Sequence, residues 1–180
     1  SCDNFFFFGA RNPLKPRLAG RRRIKPMAIE ELKSYNAANL ACAGNYFQLK
    51  KNFDDVRSWQ KVWLKIKKDC SIDRDLEWQK LEKNGIKLIL ANDPEFPLRL
   101  REMPWPPLGI YFKGRLVAHD EKCVAVVGTR KATTHGKEIA KNFSSVLSQT
   151  GLTVTSGLAL GIDTAAHEGA LEAEGKTIAV

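Results

Sequence analysis

The chain has 180 residues, of which 43% are hydrophobic and 27% are charged. This balance excludes a disordered protein and is typical of a folded globular one. The net charge of +9 favours a polyanionic partner such as a nucleic acid. No apolar stretch approaches the ~20 residues that a membrane span needs, and the apolar run "FFFFGA" is too short for a signal peptide. We therefore expect a cytoplasmic protein.

The positive charge is concentrated at the start of the chain. Residues 1–26 contain seven Lys or Arg residues and one Asp, so they carry +6 of the total charge. Pro13, Pro16 and Pro26 interrupt this stretch and disfavour a regular helix. We interpret residues 1–26 as a basic disordered arm or a non-native extension. An organellar transit segment and a nucleic-acid-binding arm are the alternatives.

The four cysteines give no metal or disulfide pattern. They lie far apart, and no pair has C-x-x-C spacing or a histidine at ligand spacing: Cys2, Cys42, Cys70 and Cys123. The sequence therefore predicts reduced thiols and no metal site.

Residues 27–84 have a helical pattern and predict a small N-terminal module. Four apolar residues recur at the spacing of one helix face: Val56, Trp59, Trp63 and Ile66. The opposite face is basic and predicted to be solvated: Arg57, Lys61, Lys65 and Lys68. Although tryptophans can stack on bases, this spacing favours packing in the core.

Shorter elements follow this pattern along the chain. A helix is predicted over Arg74 to Lys83, with Gly85 as its left-handed cap, and "IKLIL" is predicted to be a short buried strand. Five prolines then exclude regular helix over most of a surface connector: Pro94, Pro97, Pro104, Pro106 and Pro107. The run "LGIYFKG" is predicted to be an edge or lead-in strand.

Residues 85–180 predict an α/β domain. "CVAVVG" resembles a parallel strand buried on both faces, and a helix follows with one apolar face: Ile139, Phe143, Val146 and Leu147. The strand "LTVTSG", a helix from Thr164 to Glu174 capped by Gly175, and the strand "KTIAV" come next. The order β-α-β-α-β predicts a Rossmann-like parallel sheet. Because the chain stops in a strand, we expect the sheet to be incomplete at its C-terminus.

Two loops at the carboxyl ends of these strands are candidate ligand sites, "GTRKATTHG" and "SGLALGID". Each leads into a helix N-terminus, where free N–H groups favour an anion. Arg130 could reach a phosphate there, or form a surface ion pair instead. The Ser156 hydroxyl and the N–H groups from Gly157 to Gly161 could line a phosphate nest, although Ser156 could equally cap a turn.

Several nucleotide and catalytic motifs are excluded. Arg130 occupies the place of the second glycine of G-x-G-x-x-G, and Glu138 after Lys137 excludes a Walker A loop. Nothing marks Ser156 as an activated nucleophile. Asp163 is predicted to be a helix N-cap and His167 to be its partner or a packing residue, with a general-base role for His167 disfavoured.

Three ordered segments make the sequence recognisable: "NDPEFPLRLREMPWPPLGIYFKG", "VAVVGTRKATTHGKEIAKNFSSVL" and "GLTVTSGLALGIDTAAHEGALEAEGKTIAV". Together they closely resemble the DNA-processing protein A (DprA/Smf) family, from about Gly85 to Val180. Phe96-Pro97 stands where many members have Tyr-Pro. The helical part before Gly85 contains no diagnostic residues.

The resemblance implies binding of single-stranded DNA without strong sequence preference, and loading of the RecA recombinase during natural transformation. It also implies dimer contacts, and it implies neither catalysis nor a cofactor. The candidate DNA-binding residues are Gly128, Thr129, Arg130, Ser156, Gly157, Gly161 and Asp163. A Rossmann-like phosphoribohydrolase is the enzymatic alternative, although its "PGGxGT" loop is absent, and a purely structural domain is a third.

Overall fold

The computed structural model describes residues 28–116 and 122–180 and the backbone of residues 5–9. Among these residues the chain forms two compact units. The first unit contains residues 28–111, and the second contains residues 5–9 and the described residues from 112 onward. Within the predicted arm, Phe5–Gly9 forms strand β1, and the rest of that arm lies outside the described residues. The predicted boundary at residues 84 and 85 stays a prediction.

The first unit begins with four α-helices, in agreement with the helical pattern of residues 27–84. They are α1 (Ile29–Ala41), α2 (Tyr46–Val56), α3 (Trp59–Ile66) and α4 (Arg74–Lys83). The Trp59 ring packs edge-to-face on Tyr35, with centroids 4.7 Å apart, and stacks on Phe53 at 4.5 Å. Trp59 and Trp63 are both buried, which confirms that these tryptophans belong to the core.

The prediction of one continuous helix from Val56 to Ile66 is wrong. Arg57 adopts a left-handed conformation with φ of 52° and ends α2. Ser58 then caps α3, because its side chain accepts a hydrogen bond from the Lys61 N–H at 3.4 Å. Glu31 in α1 accepts bonds from the Ser58 hydroxyl at 2.7 Å and from the Trp59 N–H at 2.6 Å. The apolar repeat is therefore divided between two helices, α2 and α3.

The remaining elements of the first unit follow their predicted order. Gly85 ends α4 with a φ of +65°, as predicted, and strand β2 (Lys87–Leu90) follows. Leu88, Ile89 and Leu90 of β2 are buried. The proline-rich connector contains a single helical turn, α5 (Leu98–Arg101), and leads to strand β3 (Gly109–Phe112), which lies beside β2.

The second unit confirms the predicted α/β fold with a parallel sheet. Its elements after β3 are β4 (Cys123–Ala125), α6 (Thr134–Gln149), β5 (Thr153–Ser156), α7 (Ile162–Glu172) and β6 (Thr177–Ala179). Strand β5 lies between β4 and β6 and runs parallel to both. Strand β1 pairs antiparallel with β6 on the other side. Both loops of the candidate site therefore leave the same edge of the sheet.

The prediction for the buried face of α6 is largely wrong. Ile139, Phe143 and Val146 are each more than half exposed, and only Leu147 packs against the core cluster of Val154, Ala166 and Ala170. The buried residues of α6 are small: Ala140, Ser144 and Ser148. Helix α7 approaches so closely that a Cβ added at Gly169 would collide with the Lys141 carbonyl oxygen. Only small side chains fit between backbones at that separation.

Two further predictions for the second unit need correction. The run "CVAVVG" is not buried on both faces, because β4 ends at Ala125 and lies at the end of the strand order, where Val127 is 69% exposed. After α7 the left-handed residue is Glu174, with φ of 52°, instead of Gly175. Gly175 is needed for space, because a Cβ there would collide with the Ser148 side chain.

Candidate functional site

The Asp163 carboxylate joins the two loops at the carboxyl edge of the sheet. Its Oδ1 accepts a hydrogen bond from the Gly128 N–H at 3.2 Å, and its Oδ2 accepts one from the Gly157 N–H at 3.1 Å. Asp163 is only 6% exposed. The prediction that Asp163 caps α7 is wrong, because Gly161 is the N-cap and Asp163 lies in the first turn. Its carboxylate therefore fixes the loop that follows β4 against the loop that follows β5.

The loop glycines allow the two loops to pack against each other. A Cβ at Gly128 would lie 2.7 Å from the Ile162 side chain. Gly161 has a φ of +91°, and a Cβ there would collide with the Thr129 carbonyl oxygen. That same oxygen accepts a hydrogen bond from the Ile162 N–H at 3.3 Å. These glycines are therefore required by contacts within the protein, whether or not a ligand binds.

Ser156 also links the segments of two neighbouring strands. It is 2% exposed, and its hydroxyl donates to the Val126 carbonyl oxygen at 2.6 Å. The Gly157 N–H is likewise bonded to Asp163. A phosphate contact through either donor would require these bonds to break. Sequence reasoning assigned both residues to the ligand and missed Ile162, whose apolar side chain directly after Gly161 was the available signal.

Arg130, unlike the buried Ser156, lies on the surface. It is exposed, and within the described residues no carboxylate lies at ion-pair distance from its guanidinium. The surface ion pair that the sequence left open is therefore not formed there. Thr129, also exposed, accepts a bond from the Lys131 N–H through its hydroxyl oxygen at 3.2 Å, which tightens the turn beneath Arg130. Lys131 and Lys137 are exposed as well, so this loop presents several cations.

His167 is a buried packing residue. Its Nδ1 lies 2.6 Å from the Thr177 Oγ1, which itself donates to the Val154 carbonyl oxygen at 2.9 Å. The Thr177 hydroxyl proton is thus used, so we assign the donating proton to Nδ1 of His167. Burial lowers the pKa of His167, and the negative charge of nearby Asp163 offsets this only in part. The partner predicted for His167 was Asp163, whereas its hydrogen bond is to Thr177.

Neither a candidate metal site nor a membrane-spanning helix is present in the described part of the chain. No group of three or more His, Cys, Asp or Glu side chains there could hold a metal ion, and Cys42, Cys70 and Cys123 form no disulfide there. No helix there is long and apolar enough to cross a membrane.

Comparison with known families decides the classification of this site. The family described as "DNA recombination-mediator protein A" matches residues 87–180, which is more than half of the chain. The chain belongs to this family. The matched residues include both loops, Arg130 and Asp163.

Curated relatives agree with the family match. Protein Smf of Synechocystis is 40% identical over 98 residues, which are 52% of this chain and 25% of that protein. DNA processing protein DprA of Streptococcus pneumoniae is 42% identical over 90 residues, which are 49% of this chain and 31% of that protein. The chain thus spans between a quarter and a third of these relatives.

A solved structure shares the fold. The X-ray structure of DNA processing protein A (DprA) from Streptococcus pneumoniae matches with a TM-score of 0.54 and 27% sequence identity. The match covers 83% of this chain and 54% of that one. The α/β architecture is therefore that of a DprA structure.

Proposed function

We propose that this chain binds single-stranded DNA by contacting a backbone phosphate with Arg130 and acts as a DNA recombination mediator. The observation that carries this proposal is an exposed cation, Arg130, on a loop that is held in place. Asp163 fixes the two loops against each other, while Arg130 stays exposed without an ion pair in the described residues. A guanidinium held in this way is suited to a phosphate, because it offers several donors in a planar fork.

The surrounding chemistry supports a phosphate over a neutral ligand. Lys131 follows Arg130 directly and is exposed, and the first turn of α6 contains the exposed Lys137 and no acidic residue. The α6 N-terminus contributes the positive end of a helix dipole. Its cap is intact, since the Thr133 hydroxyl oxygen accepts from the Gly136 N–H at 3.1 Å. Of the predicted site residues, Arg130 is the proposed DNA contact, and Gly128, Thr129, Ser156, Gly157, Gly161 and Asp163 position it.

The proposal contains no catalytic step. A hydrolytic mechanism would need a nucleophile or a general base near the loops, and three of the residues that the sequence singled out have such groups: Ser156, Asp163 and His167. The Ser156 hydroxyl donates to Val126, Asp163 holds two backbone amides, and His167 is buried against Thr177. Each group is thus used for folding. This supports a binding role over the phosphoribohydrolase alternative.

Partners follow from the family. A recombination mediator delivers a single strand to a recombinase, so we propose RecA as the protein partner and a homodimer as the assembly. Sequence preference should be weak, because a phosphate contact carries no base information. Affinity should fall as salt rises, because counterions released from the DNA contribute to binding.

Fluorescence anisotropy of a labelled oligo-dT tests the proposal on the full chain. Arg130→Gln removes the charge, and Lys68→Gln is the control, because Lys68 is an exposed cation of the first unit that has no ion pair in the described residues. We expect about tenfold weaker binding for Arg130→Gln, as for one lost charge-assisted bond, and unchanged binding for the control. Equal binding by the wild type and Arg130→Gln would contradict the proposal. If the wild type fails to bind DNA but binds nucleoside phosphates, the enzymatic alternative is favoured.

A further inference from the structure

A cluster of aromatic side chains lies exposed on the first unit. Phe47 and Trp105 are 67% and 69% exposed, and their rings meet edge-to-face with centroids 5.8 Å apart. Tyr46 contacts Phe47 in the same way at 5.5 Å. We call these three residues the aromatic cluster. An edge-to-face contact covers one face of one ring at most, so flat ring surface remains open to a ligand.

The exposure of these rings contrasts with the other large aromatic side chains of the unit. Trp59, Trp63 and Trp78 are each at most 8% exposed. Phe47 lies in the first turn of α2, two residues before the buried Leu49, so the helix directs Phe47 away from the core. Phe47 and Trp105 are therefore exposed to solvent and do not belong to the core.

The backbone that carries the cluster is constrained. Trp105 lies between Pro104 and Pro106, whose rings fix their own φ angles. Phe47 follows the N-cap Asn45, whose side chain accepts a hydrogen bond from the Gln48 N–H at 3.0 Å. Little further backbone ordering is therefore needed when a ligand stacks on these rings, which keeps the entropic cost of binding low.

Exposed cations accompany the cluster along the chain. Lys51 lies one turn after Phe47 on α2, and Arg99 and Arg101 lie on the helical turn that precedes Trp105. In the described part of the chain, these three side chains have no carboxylate at ion-pair distance, and Arg101 alone of the three donates to a backbone carbonyl oxygen, that of Asp93. Lys50 differs, because it pairs with Asp54. Exposed aromatic rings combined with unneutralised cations are the combination that binds single strands.

The size of the cluster disfavours a protein partner. Phe47 is the one exposed large apolar side chain of α2, where its neighbours Gln48 and Lys51 are exposed and polar. On the connector, Met103 is the one other such side chain. A stable protein interface buries about 800 Å² on each partner around a packed apolar centre. A patch of a few rings matches one or two bases better.

We propose that Phe47 and Trp105 form a stacking site for unpaired bases of single-stranded DNA. This inference rests on the proposed function and extends it, because Arg130 would contact the phosphate backbone whereas these rings would contact the bases. The site would tolerate any sequence, since every base has an aromatic face.

Comparing two ligands of equal length tests the stacking site on the full chain. One is labelled oligo-dT and the other is the same backbone without bases. We expect Trp105→Ala and Phe47→Ala each to weaken binding of oligo-dT by about tenfold and to leave binding of the abasic strand unchanged. Phe143→Ala, an exposed aromatic residue of the second unit, is the matched control and should change neither. Circular dichroism would verify that each variant is folded.

Intrinsic fluorescence provides a second readout. Among the four tryptophans, Trp105 alone is exposed, so stacking should quench its solvent-exposed emission with oligo-dT but not with the abasic strand. If Trp105→Ala binds oligo-dT like the wild type while Arg130→Gln is weakened, the stacking site is overturned and the proposed function stands. Equal losses on both ligands would also overturn stacking. If the wild type binds neither ligand, the proposed function itself fails. A change of oligomeric state in Trp105→Ala, with DNA binding intact, would assign the cluster to protein contacts instead.

Discussion

Asp163 and Gly128 are joined by a 3.2 Å hydrogen bond from the glycine N–H to the carboxylate, across two loops that leave neighbouring strands. The second oxygen of Asp163 holds the Gly157 N–H at 3.1 Å. One buried side chain thus saturates amides that would otherwise be available to an anion. The hydrogen bonds of Asp163 thus hold the two loops in place, and Arg130 provides the exposed charge.

Replacing Asp163 by asparagine should destabilise the second unit. The amide keeps one acceptor oxygen and places an NH₂ group against a backbone N–H, so one charge-assisted bond is lost. We expect the free energy of unfolding to fall by about 1.5–3 kcal/mol, measured by urea denaturation. Glu168→Gln is the control, because Glu168 is exposed on the same helix. An equal effect of the two variants would show that Asp163 does not join the loops.

Gly169→Ala should disrupt the packing of α6 on α7. The added methyl group would meet the Lys141 carbonyl oxygen, a backbone atom that cannot rotate away. We expect a loss of about 1–3 kcal/mol, seen as a lower melting temperature. Gly136→Ala is the control within a helix, because the nearest atom there is the Thr133 hydroxyl oxygen at 3.2 Å, and it should change stability little. A neutral Gly169→Ala would contradict the close approach of the two helices.

His167 should make stability depend on pH. Its pKa is lowered by burial, so the unfolded chain binds a proton more readily than the folded chain. Stability is therefore complete above the ordinary histidine pKa of about 6.5 and decreases as the pH falls from there through the lowered folded pKa. Denaturation midpoints measured from pH 7.5 to pH 5 should fall more for the wild type than for His167→Gln. His135→Gln, at an exposed position, should behave like the wild type.

Much of the fold is predictable from the sequence, because apolar runs and turn residues identify the elements. "KLIL" forms the predicted strand β2, and Gly85 ends α4 where predicted, with a positive φ. The faces of helices were less predictable. The apolar residues of α6 suggest that Phe143 is buried, but the contact with α7 requires small residues on the opposite face. Hydrophobic periodicity shows that a helix is amphipathic without showing which neighbours it has.

The positions of the two loops follow from the sequence, whereas the hydrogen bonds of their residues do not. Strand order locates the loops, and Arg130 is exposed as the phosphate hypothesis requires. Ser156 and Gly157 have their donors engaged within the protein. A carboxylate that bonds across 35 residues of sequence to Gly128 leaves no periodic signal, so the bridging role of Asp163 emerges only from the fold.

The contrast between Phe143 and Trp59 can be measured. Trp59→Ala removes a ring that is 2% exposed and should cost about 3–5 kcal/mol. Phe143→Ala truncates a ring that is 55% exposed and should stay within about 0.5 kcal/mol. Urea denaturation of both variants tests the assignment. A large loss for Phe143→Ala would mean that its face of α6 is covered in solution.

The most direct test of the central claim is the salt dependence of oligo-dT binding by the wild type and by Arg130→Gln. Each phosphate neutralised on a single strand contributes about 0.7 to the slope of log affinity against log salt concentration. The account predicts a weaker Arg130→Gln complex with a slope smaller by about that amount. Identical affinities and slopes for the two proteins would contradict it, because Arg130 would then contact no phosphate.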